Sequence, residues 1–335
     1  MKDTLKQSIS QLAESCGPSG SEEKVREQLR NMVAPYADEV REDVIGNLLV
    51  TKRGIGVDRK HLLLVAHMDE PGLIVIHIDG DGYLRVAPVG PGEAAYLVGQ
   101  RVKFPSGIVG VVGAHDVSDP GDVTFASLYI DLGVDSKEMA EELVQIGESC
   151  VIVQPTIELA PDRLVGKALD NRVGCSVAAE VLKRLNGCPH DVTVVFTVQQ
   201  HVGQRGVKPA AFGLSPDFAL VLDGVRSGDT PGADRIEIGL GKGVSVKIID
   251  KTVIIPPRIK NYLVDLAEAN GIPYQLEVCP DGTSDAGSLL ISRDGIPTGG
   301  LSIPVRYLVS GSEMVDLRDA EAAASLALQA LQNYR

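Results

Sequence analysis

The runs Val192–Val198 (VTVVFTV) and Phe218–Leu222 (FALVL) are almost unbroken in apolar and β-branched residues. They are too short for buried helices and lack the alternation of a strand wetted on one face. Such runs belong to strands covered by helices on both sides. Helical patterns surround them. Val173, Val177, Val181 and Leu185 form one stripe within 170–185, and Arg258–Ala269 and Asp319–Tyr334 read as amphipathic helices. Asn47–Val50, His61–Ala66 and Pro297–Ile303 read as further strands. Near the start, Leu5, Ile9, Leu12 and Cys16 share a helical face that Gly17-Pro18 closes. Ser21 is expected to cap the next helix, with Val25, Leu29 and Met32 facing inward. The fold class that follows is α/β, with a mixed sheet flanked by helices.

The texture between residues 70 and 162 is different. Glycine and proline recur there, short β-type segments alternate with turns, and Asp135–Leu143 alone looks helical. Leu73–Ile78 and Tyr83–Val86 form a hairpin about Asp79-Gly80-Asp81-Gly82. We expect a small β-barrel-like domain at 70–162, inserted into an α/β domain made of 1–69 and 163–335.

Composition excludes several function classes. The 335 residues carry 32 Lys+Arg against 45 Asp+Glu, a net charge of −13. That balance opposes nucleic acid, whose phosphates need a basic surface, and the lack of Trp removes the best base-stacking side chain. No apolar run approaches the roughly 18 residues of a membrane span. The polar, periodic N-terminal stretch does not read as a signal peptide, so a cytoplasmic location is expected. Five cysteines, scattered and without CxxC spacing, read as buried free thiols in a reducing compartment.

In an open α/β sheet, functional groups gather beyond the carboxyl ends of the strands. His67 and Asp69 follow one strand, Gln199, Gln200 and His201 a second, and Asp223 a third; Asp170 opens a helix. His67 and Asp69 suit a metal-bound imidazole oriented by a carboxylate, and equally a plain hydrogen-bonded pair. Asp170 suits a ligand or a helix cap, and Asp223 a ligand or a turn residue before Gly224.

The segments AHMDEPGLIV, KALDNRVGC, FTVQQHVGQRGV, LDGVRSGDTPG, LGKG and IPTGGLSIPVRYLVS, in this order, resemble the tetrahedral (glutamyl/deblocking) aminopeptidases. These are cocatalytic-metal peptidases, some labelled endoglucanases. The resemblance covers nearly the whole chain and includes YIDLGVDSKEMAEE within the insert. It implies an α/β peptidase domain with an inserted β dimerisation domain, and homo-oligomers from dimer to dodecamer. It makes His67 a ligand of a first metal and Asp69 its orienting carboxylate. Asp170 becomes the carboxylate bridging two metals, and Asp223 the remaining ligand of the first.

Three positions depart from the family pattern. Gln-Glu-Glu-Val-Gly is replaced by Gln199-Gln200-His201-Val202-Gly203, and the His of Tyr-x-His by Val309. Gln200 therefore occupies the position of the general base, and its amide cannot take up a proton. His201 replaces a carboxylate ligand of the second metal without its charge, and Val309 has no lone pair to offer. The expectation is a degenerate site holding one divalent ion per chain, zinc or cobalt, and an aminopeptidase-like hydrolase acting on N-terminal residues of peptides with impaired catalysis. The alternatives are a non-catalytic peptide-binding or regulatory homologue, and a single-metal hydrolase acting on a peptide or small molecule.

Overall fold

A computed structural model describes residues 1–115, 119–233 and 236–335. Helices α1 (Lys2–Ala13) and α2 (Glu23–Val33) lead into strands β1 (Glu39–Glu42), β2 (Leu48–Lys52) and β3 (His61–His67). Then come β4 (Gly72–Ile78), β5 (Leu84–Val89), β6 (Arg101–Lys103), β7 (Val109–Ala114), β8 (Leu128–Asp131), α3 (Lys137–Leu143) and β9 (Ser149–Ile152). The chain continues with β10 (Ile157–Ala160), β11 (Arg163–Gly166), α4 (Leu169–Arg184), β12 (Asp191–Thr197), α5 (Val207–Leu214) and β13 (Phe218–Arg226). It closes with β14 (Val244–Ile249), α6 (Pro257–Ala269), β15 (Tyr274–Val278), α7 (Asp285–Leu290), β16 (Thr298–Val305), β17 (Glu313–Asp316) and α8 (Leu317–Gln332).

Eight strands form the main sheet in the order β1-β2-β12-β3-β13-β16-β14-β15. Its centre, β12-β3-β13-β16, is parallel, and antiparallel pairs β1-β2, β2-β12 and β14-β16 make the sheet mixed. The unbroken apolar runs are these central strands, buried from end to end in β12 after its first residue. Helices α4, α6 and α8 pack on the sheet, with α1 against α4 and α8, and α5 and α7 make a further pair against it. No helix among the described residues is long and apolar enough to cross a membrane.

Strands β4-β5-β8-β7-β6-β9 close into an antiparallel barrel. Its core, including Leu73, Val86, Phe104, Val112 and Ile130, is separate from that of the main sheet. The chain leaves the barrel through β10 and β11, which pair with β17 in a small three-stranded sheet. All five cysteines are free and buried.

Two local expectations are corrected. Helix α1 stops at Ala13, short of Cys16, and α2 is preceded by Glu22 rather than capped by Ser21. The Glu22 carboxylate accepts the N–H groups of Gly20 (2.9 Å) and Gln199 (3.0 Å) instead, tying the start of α2 to the end of β12.

Candidate metal centre and cleft

Parallel register brings the polar residues together. Thr197 lies opposite His67, and Val221 lies opposite Val65, which sets Asp223 level with His67 at the carboxyl edge. Asp170 arrives from the start of α4. It does not cap that helix: its dihedral angles and those of Asn171 are non-helical, and the Asn171 side chain caps the regular turns by accepting the Gly174 N–H (3.1 Å). The Asp170 carboxylate is thereby free to face His67, and its Oδ1 accepts the Gly224 N–H at 3.1 Å. A Cβ at Gly224 would lie 2.4 Å from that oxygen, so this approach requires glycine.

His67 is 2% exposed, and neither ring nitrogen makes a hydrogen bond. Its Nε2 lies 3.6 Å from Asp170 Oδ1 and 3.4 Å from Asp223 Oδ1, and its Nδ1 lies 3.4 Å from Asp69 Oδ1. Two orphaned nitrogens among carboxylates are costly unless a cation or proton fills the gap. Ligand atoms of His67, Asp170 and Asp223 all fall within 4.8 Å of one another, as a divalent ion needs.

Electrostatics favour positive charge at this place. Burial disfavours a charged His67 ring, yet Asp170, Asp223 and Asp69 hold its pKa well above the ordinary value. Burial pushes the Asp223 carboxyl up to about 6. For Asp170, burial is outweighed by His67, which keeps it low.

Asp69 is completely buried and already engaged. It accepts Ser19 Oγ (2.6 Å) and the backbone N–H groups of Gln200 (3.0 Å) and His201 (3.1 Å). Burial is outweighed by these donors and the two histidines, so the group stays ionised. It thus joins the β3 end to the 199–201 turn, where Gln199 has φ 55°. The His201 ring packs edge-on against His67, with centroids 4.9 Å apart, and its buried Nε2 has no partner. Burial keeps that ring below the usual histidine pKa, hence neutral. A Cβ at Gly90 would come within 2.8 Å of His201 Cβ, so the barrel approaches closely here.

A cleft of about 320 Å³ opens in front of these groups, with Asp170, Gln200, His201, Asp223, Lys247 and Val309 in its wall. Of the candidates named from the sequence, Asp170, Gln200, His201, Asp223 and Val309 line this cleft, whereas His67 and Asp69 are buried and do not line it.

Other residues carry no sequence signal. Glu313 is buried and accepts the N–H groups of Asp170 (2.9 Å) and Val309 (2.8 Å). Burial, then the neighbouring Asp170, raises its carboxyl to about 8. Asp285 accepts Thr197 Oγ at 2.7 Å, and burial raises it to about 7. Lys247 pairs with Glu277 and lies 3.5 Å from Asp250. Glu70 is held by Lys167 and Arg172 beneath the His67 loop. Most of these partners are distant in sequence and leave no local pattern.

The M42 glutamyl aminopeptidase family matches residues 46–326, the span that holds every one of these groups. The chain belongs to that family. A relative of this M42 protein from Acetivibrio thermocellus is 40% identical over 316 residues, 94% of either chain. An aminopeptidase from the archaeon Desulfurococcus kamchatkensis superposes with a TM-score of 0.94 at 35% identity, covering 99% of this chain and 95% of its own. The TET1 peptidase of Pyrococcus horikoshii, which can assemble into a tetrahedron or a large octahedral shell, superposes with a TM-score of 0.88 at 30% identity. That match covers 98% of this chain and 99% of the other. The α/β sheet with its inserted barrel is the fold of these peptidases.

Proposed function

We propose that this M42 protein is an aminopeptidase-type hydrolase with one divalent ion per chain, zinc or cobalt, and with peptide turnover far below that of a relative with an intact site. One observation carries the reading. A buried histidine with both nitrogens unpartnered faces three carboxylates, while the adjoining cleft is lined by the amide Gln200.

His67 Nε2, Asp170 and Asp223 would hold the ion. A bound divalent ion supplies a Lewis acid that polarises a carbonyl and acidifies water. Asp69, with Oδ1 3.4 Å from Nδ1, electrostatically favours the proton on that nitrogen, which would leave the Nε2 lone pair for the ion between Asp170 and Asp223. Gln200 can orient a substrate group or a water by hydrogen bonding but cannot remove a proton, a loss worth about 10²–10⁴-fold in rate. His201 is neutral, and Val309 has no donor atom, so a second ion would have Asp170 as its one charged ligand. The second reading, a peptide-binding or regulatory homologue, is favoured by those same three side chains.

The family's assemblies and the separate barrel core support a homo-oligomer joined through the insert at 70–162. Five buried free thiols fit a cytoplasmic location. Hydrolysis of aminoacyl-anilides, with zinc, cobalt or manganese added and then chelated, tests the activity. Slow, chelator-sensitive cleavage supports the proposal. Chelator-insensitive turnover at about 1–10³ s⁻¹, the usual enzyme range, refutes it. No cleavage with any metal leaves the peptide-binding reading.

A further inference from the structure

At the carboxyl ends of β13 and β16 two arginines lie side by side: Arg226 ends β13 opposite Val305, and Arg306 follows Val305 directly. Their surroundings differ. Arg306 is fully engaged, with Nε and Nη2 donating to the two Asp229 oxygens at 2.9 and 2.7 Å. Arg226 is exposed and, among the described residues, makes no hydrogen bond or ion pair. Its position is nevertheless specific. It lines the cleft in front of Asp170 and also an adjoining groove of about 720 Å³, whose walls include Glu93 and Tyr96 of the barrel and Tyr307 and Ser310 of the loop after β16.

Strand geometry sets the reach of Arg226. Side chains alternate between the faces of a strand, so Arg226 leaves β13 on the face toward which Gly224 would point a Cβ. Asp170 stands on that face, since such a Cβ would lie 2.4 Å from its Oδ1. Two residues of strand put Arg226 about 7 Å beyond Asp170, and an extended peptide covers about 3.3–3.6 Å per residue. A peptide with its first residue at Asp170 therefore brings its third residue level with Arg226. Charge singles out the group that would be held there. Acidic residues dominate both cavities: Asp170, Asp223, Glu277 and Asp281 line the cleft, and Glu93 the groove. The other cation of the cleft wall, Lys247, is already paired with Glu277. Arg226 is thus the one unpaired cationic side chain lining the two cavities among the described residues.

We propose that Arg226 binds the terminal carboxylate of short peptides, so that the chain selects peptides of about three residues with a free carboxyl end. The proposal rests on the aminopeptidase reading and deepens it from a type of bond to a length of substrate. A guanidinium is a planar fork that meets a carboxylate with two parallel N–H···O bonds, a match that a lysine cannot make. Converting the carboxyl end to an amide removes the charge and one of the two acceptors. A longer peptide carries its carboxylate past Arg226 and leaves a neutral peptide group beside the fork. At an exposed site the lower end of the range for hydrogen bonds to charged groups applies, which is about tenfold in affinity.

The test uses the full chain loaded with cobalt, and calorimetric binding of leucyl-oligoalanines of two, three, four and six residues. Their first peptide bond is replaced by a methyleneamino link, so that none is cleaved, and each is made both as the free acid and as the amide. The tripeptide acid should bind at least about tenfold tighter than its amide, and the gap should close by six residues. Arg226→Gln should abolish the gap and leave the amide series unchanged, while Arg226→Lys should keep part of it. Both variants should fold like the parent, because the side chain is exposed and unpaired, and unchanged binding of the amides verifies this. Equal binding of the tripeptide acid and amide by the unmodified protein overturns the proposal. So does a gap that survives Arg226→Gln, or one that is as large at six residues as at three. In each of these cases the amides still bind, and the aminopeptidase reading stands. Failure of every acid and every amide to bind would overturn that reading itself, together with the role of Arg226.

Discussion

Replacing Arg172 by methionine should be among the most damaging single changes outside the ligands. The guanidinium is fully buried. It donates to the Met68 carbonyl, to Glu70 Oε1 at 3.1 Å and to the Gly17 carbonyl at 3.5 Å. Breaking a buried ion pair by removing one partner costs about 3–5 kcal/mol, chiefly because the other charge is stranded. Here Glu70 is not wholly stranded. Lys167 Nζ still reaches both its oxygens, at 2.8 and 2.7 Å, and the Gly17 N–H reaches Oε1 at 3.2 Å. The loss should therefore lie near the lower bound, about 3 kcal/mol. Urea unfolding of the metal-free protein at pH 7 measures it, and a loss below about 1 kcal/mol would show that the Lys167–Glu70 pair suffices without arginine. Met68 sits between His67 and Asp69, so the same variant should also bind cobalt about tenfold more weakly, as supporting-residue changes at metal sites do. Arg172→Lys should rescue little, since one ammonium cannot span the three acceptors that the planar fork reaches.

Elemental analysis after dialysis against a weak chelator should find one divalent ion per chain, and two stoichiometric ions would disprove the one-metal proposal. Gln200→Glu alone should recover little turnover. Combined with His201→Glu and Val309→His it should bring in a second ion and raise turnover by orders of magnitude, because base and metals act as a unit; a triple variant no faster than the parent would count against those assignments. Stability of the metal-free protein should fall between pH 5 and pH 8.5. Burial raises the folded-state carboxyls of Asp285 and Asp319 to about 7 and Glu313 to about 8, so their contribution is complete below pH 4 and disappears as pH passes through those values. Thermal melts that rise across that window would contradict the burial argument.

The central strands were legible in the sequence because burial on both faces leaves an unbroken apolar run, as in β12 and β13. Edge elements were not. Glu39–Glu42 is a charged edge strand with no apolar pattern, and Glu277 on β15 is polar because it pairs with Lys247 across the sheet. The start of α2 was misread at Ser21, because Glu22 precedes the helix and its carboxylate reaches Gln199; of the two readings open for Asp170 the helix cap falls, because its carboxylate accepts from Gly224. His67 and Asp223 could be singled out because they lie at the carboxyl ends of strands, a position that topology makes convergent, and Asp170 because it opens a helix. Glu313, Asp285 and Glu70 could not, since each owes its place to partners that only the folded chain brings near.

The sheet order also sets a schedule for synthesis. Strand β12 is wedged between β2 and β3, so these two strands, although close in sequence, never pair with each other. Both wait for a partner that emerges roughly 120 residues after β3, which at 5–20 residues per second is about 6–24 s. During that interval the apolar segments Leu48–Val50 and Leu62–Ala66 are without their sheet, while the barrel strands, all local to one another, can already close. The nascent chain is thus most exposed to aggregation just when its inserted domain has finished folding, and a chaperone that binds short aliphatic stretches would find its targets ahead of the barrel rather than within it.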